Sequence, residues 1–261
     1  MPGPQQKMEH IQMKTGLTLT QLAKEIERQR ETKRDMIVQS PAIVMQDDLT
    51  LNLAGQVECG VNDLAHNQIG TYTGIPAAYY SKMREQAPQL LATNVNSWMT
   101  KFNEPRLVRT LDGRARAVLS DRYRPLENAD FAEATLPVLM ELGVEIMSCE
   151  ITEKRLYIKA IDVNVRRDMP TGKNWGDASH HFFDTVSPAV ILSNSEVGEG
   201  ALKVEAGVFT KLCTNMAIAG SRSMKKYHIG KKHEMLEESN LQHLLSDRTK
   251  AMQDIRQVLW E

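Results

Sequence analysis

Arg106-Leu107-Val108-Arg109-Thr110-Leu111-Asp112-Gly113-Arg114-Ala115-Arg116-Ala117-Val118-Leu119 reads as a two-residue β-hairpin. Asp-Gly between two strand-like runs is the strongest short-range hairpin signal. That turn sets Leu111 against Arg114, Arg109 against Arg116 and Leu107 against Val118. One face then carries Val108, Ala115, Ala117 and Leu119 and suits a core. The other places Arg109 and Arg116 opposite each other, with Arg114 beside them. Like charges directly opposite on a sheet are destabilising, so the arrangement calls for an anion across it.

The basic character continues into Arg122-Tyr123-Arg124. Between Lys101 and Arg124 there are seven basic residues against three acids, Glu104, Asp112 and Asp121. Basic residues interleaved with an aromatic suit a single-strand groove, in which arginines meet phosphates and a ring stacks on a base. The competing reading is a strand face whose arginines pair with carboxylates elsewhere in the fold. A second basic stretch, Arg222-Ser223-Met224-Lys225-Lys226-Tyr227-His228-Ile229-Gly230-Lys231-Lys232-His233, holds no acid. It reads as a phosphate-contacting loop or as a solvated linker.

The net charge is only -1, so any preference for nucleic acid must come from local patches. Charged residues make up 25% and hydrophobic residues 41%, a globular balance that fits a buried core. The three cysteines, Cys59, Cys149 and Cys213, show neither metal spacing nor a disulfide framework, which points to a reducing compartment. No apolar run is long enough to span a membrane, and the first residues lack the apolar core of a secretory signal. The expected location is the host-cell cytoplasm.

Working outward from the hairpin, residues 1–16 read as a disordered tail and 17–60 as a helical N-terminal segment. Thr18-Leu19-Thr20-Gln21 opens a helix with a capping box, which stops before Ser40-Pro41. A strand is expected around Leu49–Ala54. Residues 61–220 read as the core domain. It begins with two helices broken at Gly74 and a third near Leu90–Met99. After the hairpin comes a helix capped by Asn128, kinked at Pro137 and stopped at Gly143. Val144–Ile151 with Leu156–Val163, and Val186–Ser193 with Ala201–Phe209, form two further hairpins, and Leu212–Ala219 a helix. Residues 221–261 read as a basic loop and an amphipathic helix carrying Leu241, Leu244, Leu245, Met252, Ile255 and Leu259 at helical spacing. Together these elements predict an α+β fold: a mostly antiparallel sheet built from hairpins, with packed helices and helical terminal segments.

Several segments occur in the order seen in a family of phage- and plasmid-associated proteins catalogued as a domain of unknown function. Ser193-Asn194-Ser195-Glu196-Val197-Gly198-Glu199-Gly200-Ala201-Leu202-Lys203-Val204, followed by Lys211-Leu212-Cys213-Thr214-Asn215-Met216, resembles its Asn-Ser turn, glycine-containing loop, strand and Cys-x-Asn element. Ile75-Pro76-Ala77-Ala78-Tyr79-Tyr80, Asn94-Val95-Asn96-Ser97-Trp98 and Arg116–Leu126 also resemble it. The chain departs from the pattern at Lys211 and at Asn215-Met216. The resemblance spans roughly residues 60–220 and implies a role in mobile-element DNA metabolism. The single-strand annealing proteins of phage recombination, which also use a hairpin–helix–hairpin core with a basic groove, offer an analogy of fold.

Other motifs carry less. Residues 64–83 fit a helix-turn-helix or a plain helical hairpin. Adjacent His180-His181 and the His228/His233 pair lack a spacing that converges on a metal. The loop Asn194–Gly200 lacks the Gly-Lys-Ser/Thr ending of a phosphate loop and reads as a turn needing permissive backbone. Cys213 opens an expected helix. No nucleophile elbow or convergent acid pair stands out, and neither cofactor nor metal is expected. The expected activity is sequence-independent binding or annealing of single-stranded DNA. Arg109, Arg114, Arg116, Arg122 and Arg124 hold phosphates, Tyr123 stacks a base, and Lys225, Lys226, Lys231 and Lys232 extend the track, with assembly into homo-oligomers. The alternatives are an enzyme acting on nucleic acid or nucleotides, and a non-catalytic oligomeric interaction module.

Overall fold

A computed structural model describes residues 14–170, 183–210 and 223–226. The expected helices at 212–219 and 241–259, Cys213, the tail before residue 14 and His180, His181, His228 and His233 lie outside the described residues.

The chain is an α+β fold of two sheets, each with its own helical layer. It runs β1 (Lys14–Leu17), α1 (Leu19–Thr32), β2 (Arg34–Gln39), β3 (Ile43–Met45), β4 (Leu51–Leu53), β5 (Val57–Val61), α2 (Asp63–Thr73), α3 (Ala77–Gln86) and α4 (Pro88–Phe102). It continues through β6 (Pro105–Leu111), β7 (Arg114–Ser120), α5 (Asn128–Glu141), β8 (Glu145–Ile151), β9 (Leu156–Ile161), β10 (Arg167–Pro170), β11 (Phe183–Asn194), β12 (Leu202–Thr210) and β13 (Ser223–Lys226). One sheet has the order β2-β6-β7-β5-β4-β3, antiparallel except where β5 runs parallel to β7. The other has the order β1-β8-β9-β11-β12-β13, with β10 paired to the start of β11.

Each layer buries its own apolar stripe. Ile69 of α2 and Leu91, Val95 and Met99 of α4 pack with Val108, Ala115 and Val118 of the hairpin. Leu22 of α1 and Phe131 and Leu139 of α5 pack with Cys149, Ile158, Leu192 and Val204 of the second sheet. A third cluster, Leu64, Ala117 and Val197 with Leu119 against it, joins α2 and β7 to the loop after β11.

Local chemistry sets the helix ends. Thr18 and Gln21 form the expected capping box. Asn62 caps α2, its Oδ1 accepting from the Ala65 N–H at 2.8 Å. Gly74 closes α2 at φ 70°, where a side chain is strained.

Three expectations change. The helical segment at 17–60 is one helix, α1, followed by four strands of the first sheet. Ile37 and Val38 are β-branched, and β2 gains a full ladder with β6, so strand pairing wins over the fading helical stripe. The boundary at residue 61 falls at the end of β5, inside that sheet, and β1 already pairs with β8 from Lys14. The helix start at Asn128 is capped from outside: its backbone N–H donates to Glu196 Oε1 at 2.7 Å, while its own Oδ1 accepts from Asn194.

The hairpin holds a further difference. Asp112 and Gly113, at φ 51° and 73°, form the expected tight turn, and Leu111 does face Arg114. Beyond Thr110 opposite Ala115 the register slips, so Arg109 faces Ala117 and Leu107 faces Leu119. Arg116 is the extra residue of a β-bulge. The slip turns Ala117 and Leu119 onto the arginine face, where they join the third cluster, and leaves Val108, Ala115 and Val118 on the helix-covered face.

Candidate functional site

The arginine face of the hairpin packs against the loop that follows β11. Side chains from five places converge there: Lys33 just after α1, Asp35 on β2, Arg109 and Arg116 on the hairpin, Glu127 before α5, and Glu196 in the loop. Arg109 Nε donates to Asp35 Oδ1 at 2.9 Å, its Nη1 to the Glu196 carbonyl oxygen at 2.7 Å, and its Nη2 to Glu127. Arg116 Nη1 donates to Glu196 Oε2 at 2.7 Å. Lys33 Nζ donates to Glu196 Oε1 at 2.8 Å and also to Glu127. Three cations thus meet three carboxylates, and Arg109 is 0% exposed.

Burial alone would push the Glu196 carboxyl up. The charges of Arg116, Lys33 and Arg109 and the Asn128 N–H overrule it and hold the group far below the usual carboxylate range. Burial disfavours the Arg109 cation, and Glu127 and Asp35 more than restore it, so its pKa is raised. At the edge of this network Arg28 bridges Glu25 and Asp112, and Thr32 donates to Asp112 at 2.6 Å, which fixes the hairpin tip against α1.

The sequence-derived phosphate contacts fall unevenly. Arg109 and Arg116 are buried and bonded to carboxylates, as the competing reading of this face expects, and Arg109 commits all three guanidinium nitrogens to protein oxygens. Tyr123 is buried too. Its hydroxyl donates to the Ser195 carbonyl at 2.9 Å and accepts from the Gly198 N–H at 3.1 Å, so its ring braces the loop instead of stacking a base. Burial pushes that phenol up to about 12. Arg114 is half-buried, donating to the Val61 carbonyl at 3.2 Å with its stem against Gly60. Arg124 donates to the Asp121 and Tyr123 carbonyls. Arg122 is exposed. Lys225 and Lys226 lie on β13, opposite Lys203 and Leu202, rather than in a loop; Lys231 and Lys232 lie outside the described residues.

The loop Asn194–Gly200 is more than a turn. Asn194, Ser195, Glu196 and Val197 are buried between the two layers, and Gln68 of α2 bonds both the Val197 carbonyl and the Val118 N–H. At Gly198, with φ 79°, an added Cβ would sit 2.7 Å from Leu119. Residues 64–83 form a helical hairpin in which Tyr80 is buried against Gly70 and His66 of α2 and Met83 lies beside Asn94 of α4, and Arg84 pairs with Asp63 of the preceding helix.

A different surface combines aromatic rings with cations. Trp98 and Phe102 lie one turn apart on α4 and stack with centroids 5.7 Å apart. Tyr72 of α2 meets Phe102 edge-to-face at 5.3 Å. Lys101 Nζ sits 4.7 Å from the Trp98 centroid, and Arg106 Cζ 3.4 Å from that of Tyr72. Phe102 and Lys101 are exposed, and Trp98 and Tyr72 are half-buried. The sequence reading passed over this patch because its members come from three elements; only the i, i+4 pair Trp98/Phe102 beside Lys101 was visible.

Among the described residues no group of three His, Cys, Asp or Glu side chains could hold a metal ion, and no helix is long and apolar enough to cross a membrane. Comparison with protein families, curated proteins and solved structures finds no match to this chain.

Proposed function

We propose that the protein binds single-stranded DNA without sequence preference, in the mobile-element DNA metabolism that its family resemblance implies, and that the contact surface is the aromatic patch of α2 and α4. The observation that supports this reading is the grouping of Tyr72, Trp98 and Phe102 with Lys101 and Arg106. Rings take up bases by stacking whatever the sequence, and neighbouring cations meet the phosphates. Arg109 and Arg116 hold the layers in place and lie outside this patch, and the exposed Arg122 is left to add a phosphate contact.

The test is fluorescence anisotropy with a labelled oligothymidine at two salt concentrations. Binding is expected to weaken steeply with salt. Phe102→Ala should cost about 1–3 kcal/mol of binding, and Lys101→Ala should lower the salt slope by about one. Absence of binding at low salt overturns the proposal.

A second reading, a module that assembles with copies of itself, draws on Ile37, which is 68% exposed on the edge strand β2. An exposed apolar side chain on an unpaired strand edge is a template for pairing. Ile37→Lys would reduce the assembly size in light scattering if that edge is used.

A further inference from the structure

Beside the charge network a small polar cavity opens between the hairpin, the start of α2 and the turn joining β8 to β9. About 30 Å³ of it is open to the centre of a water molecule, room for a few waters or one small oxyanion. Asn62, Arg116, Lys154 and Arg155 are among its lining residues. The buried nitrogens on these side chains that have no partner in the protein are Asn62 Nδ2, Arg116 Nε and Nη2, and Arg155 Nε. Asn62 is 2% exposed and Arg116 6%.

All four atoms are donors. Buried polar groups are costly to leave unpaired, and a set made only of donors is matched by a group that only accepts. Arg116 Nε and Nη2 form one edge of its guanidinium, the fork that fits two oxygens of an oxyanion. Its other terminal nitrogen, Nη1, is held by Glu196, which fixes the plane of the fork. Two of the carboxylates on the wall are committed elsewhere: Glu196 to Lys33 and Arg116, and Glu25 to Arg28 and Gln29. Arg155 supplies charge against Glu153, the remaining acid of the lining, while Lys154 pairs with Glu199 at 3.6 Å.

We infer that this cavity is a binding site for a phosphate-type oxyanion, held by the Arg116 fork, the Asn62 amide and Arg155. The group comes either as free phosphate or as the terminal phosphate of an oligonucleotide. The site is separate from the aromatic patch and does not depend on it.

The test is thermal unfolding of the full chain in inorganic phosphate against chloride at equal ionic strength. Parallel arms use 5′-phosphorylated and 5′-hydroxyl oligothymidine. A saturable rise in Tm of about 5 °C at a hundredfold excess over Kd is expected. Asn62→Asp keeps the oxygen that caps α2 and replaces the donor with a negative charge, so it should abolish the rise. Arg155→Gln, at a half-buried position, should weaken binding about tenfold and keeps the test valid if Asn62→Asp fails to fold. A rise with phosphate alone identifies the free ion, and a rise confined to the 5′-phosphorylated strand identifies a terminal phosphate. No phosphate-specific rise in any arm, or a rise that survives both substitutions, overturns the inference.

Discussion

Arg116 Nη1 and Glu196 Oε2 lie 2.7 Å apart, both side chains buried, one on the bulge of the first sheet's hairpin and the other in the loop leaving the second sheet. With Arg109 and Lys33 they make a charged joint between two layers whose main apolar cores are separate and which also meet in the small cluster of Leu64, Ala117 and Val197. Such a joint is weak evidence for net stability, because desolvating the ions offsets their attraction. Removing one partner is another matter, since the remaining charge stays buried. The joint therefore dictates how the layers dock: an apolar contact tolerates sliding, whereas a bonded set of three cations and three carboxylates has one register.

Acid should loosen this joint. The folded-state pKa of Glu196 is depressed, so its contribution is fully present above its ordinary value of 4.5 and is lost as pH falls below that toward the folded value. Urea midpoints measured from neutral pH down to about 2.5 should fall more steeply for the wild type than for Glu196→Gln. The variant starts lower at neutral pH, and the two curves approach each other in acid. Parallel curves would place the acid sensitivity elsewhere.

His66 governs a different window. It is the histidine among the described residues, buried on α2 with Nδ1 2.9 Å from the Tyr80 hydroxyl. Burial, followed by the Arg84 charge, lowers its pKa from 6.5 to about 3. Between those values the unfolded chain binds a proton that the folded one refuses, so stability falls as pH drops below 6.5, by up to about 1.4 kcal/mol per unit. His66→Gln should flatten unfolding free energy between pH 6.5 and 4.5, and an unchanged slope would show that His66 is not the titrating group.

Tyr123 separates bracing from stacking. Tyr123→Phe keeps the ring and removes the hydroxyl that bonds Ser195 and Gly198. It should cost about 1–3 kcal/mol of stability because buried backbone groups lose their partner. Affinity of the folded protein for an oligonucleotide should not change.

How much of this was legible depended on range. The Asp112-Gly113 turn, the Thr18–Gln21 capping box and the break at Gly74 are decided by residues within one turn of each other, and they stand where the sequence put them. The bulge at Arg116 adds one residue to β7, and no local pattern marks it; packing of Ala117 and Leu119 on Leu64 and Val197 selects it. β2 was hidden because Arg34 and Asp35 look like a helix end, and its identity comes from β6, far along the chain. Glu196 was the hardest to read. Its partners Arg116 and Lys33 are 80 and 163 residues away, and a glutamate in a glycine-containing loop has the local look of a solvated turn. The clue was there in Arg109, an arginine inside an apolar strand, which needs an acid if it is buried.

The most direct test of the charged joint is a double-mutant cycle on Arg116→Met and Glu196→Gln, read by urea unfolding at pH 7. The structure predicts that each single change destabilises by about 3–5 kcal/mol, and that the double mutant recovers at least about 1.5 kcal/mol of their sum, since contacting residues in one network couple. Additivity within about 0.5 kcal/mol would contradict a direct Arg116–Glu196 contact.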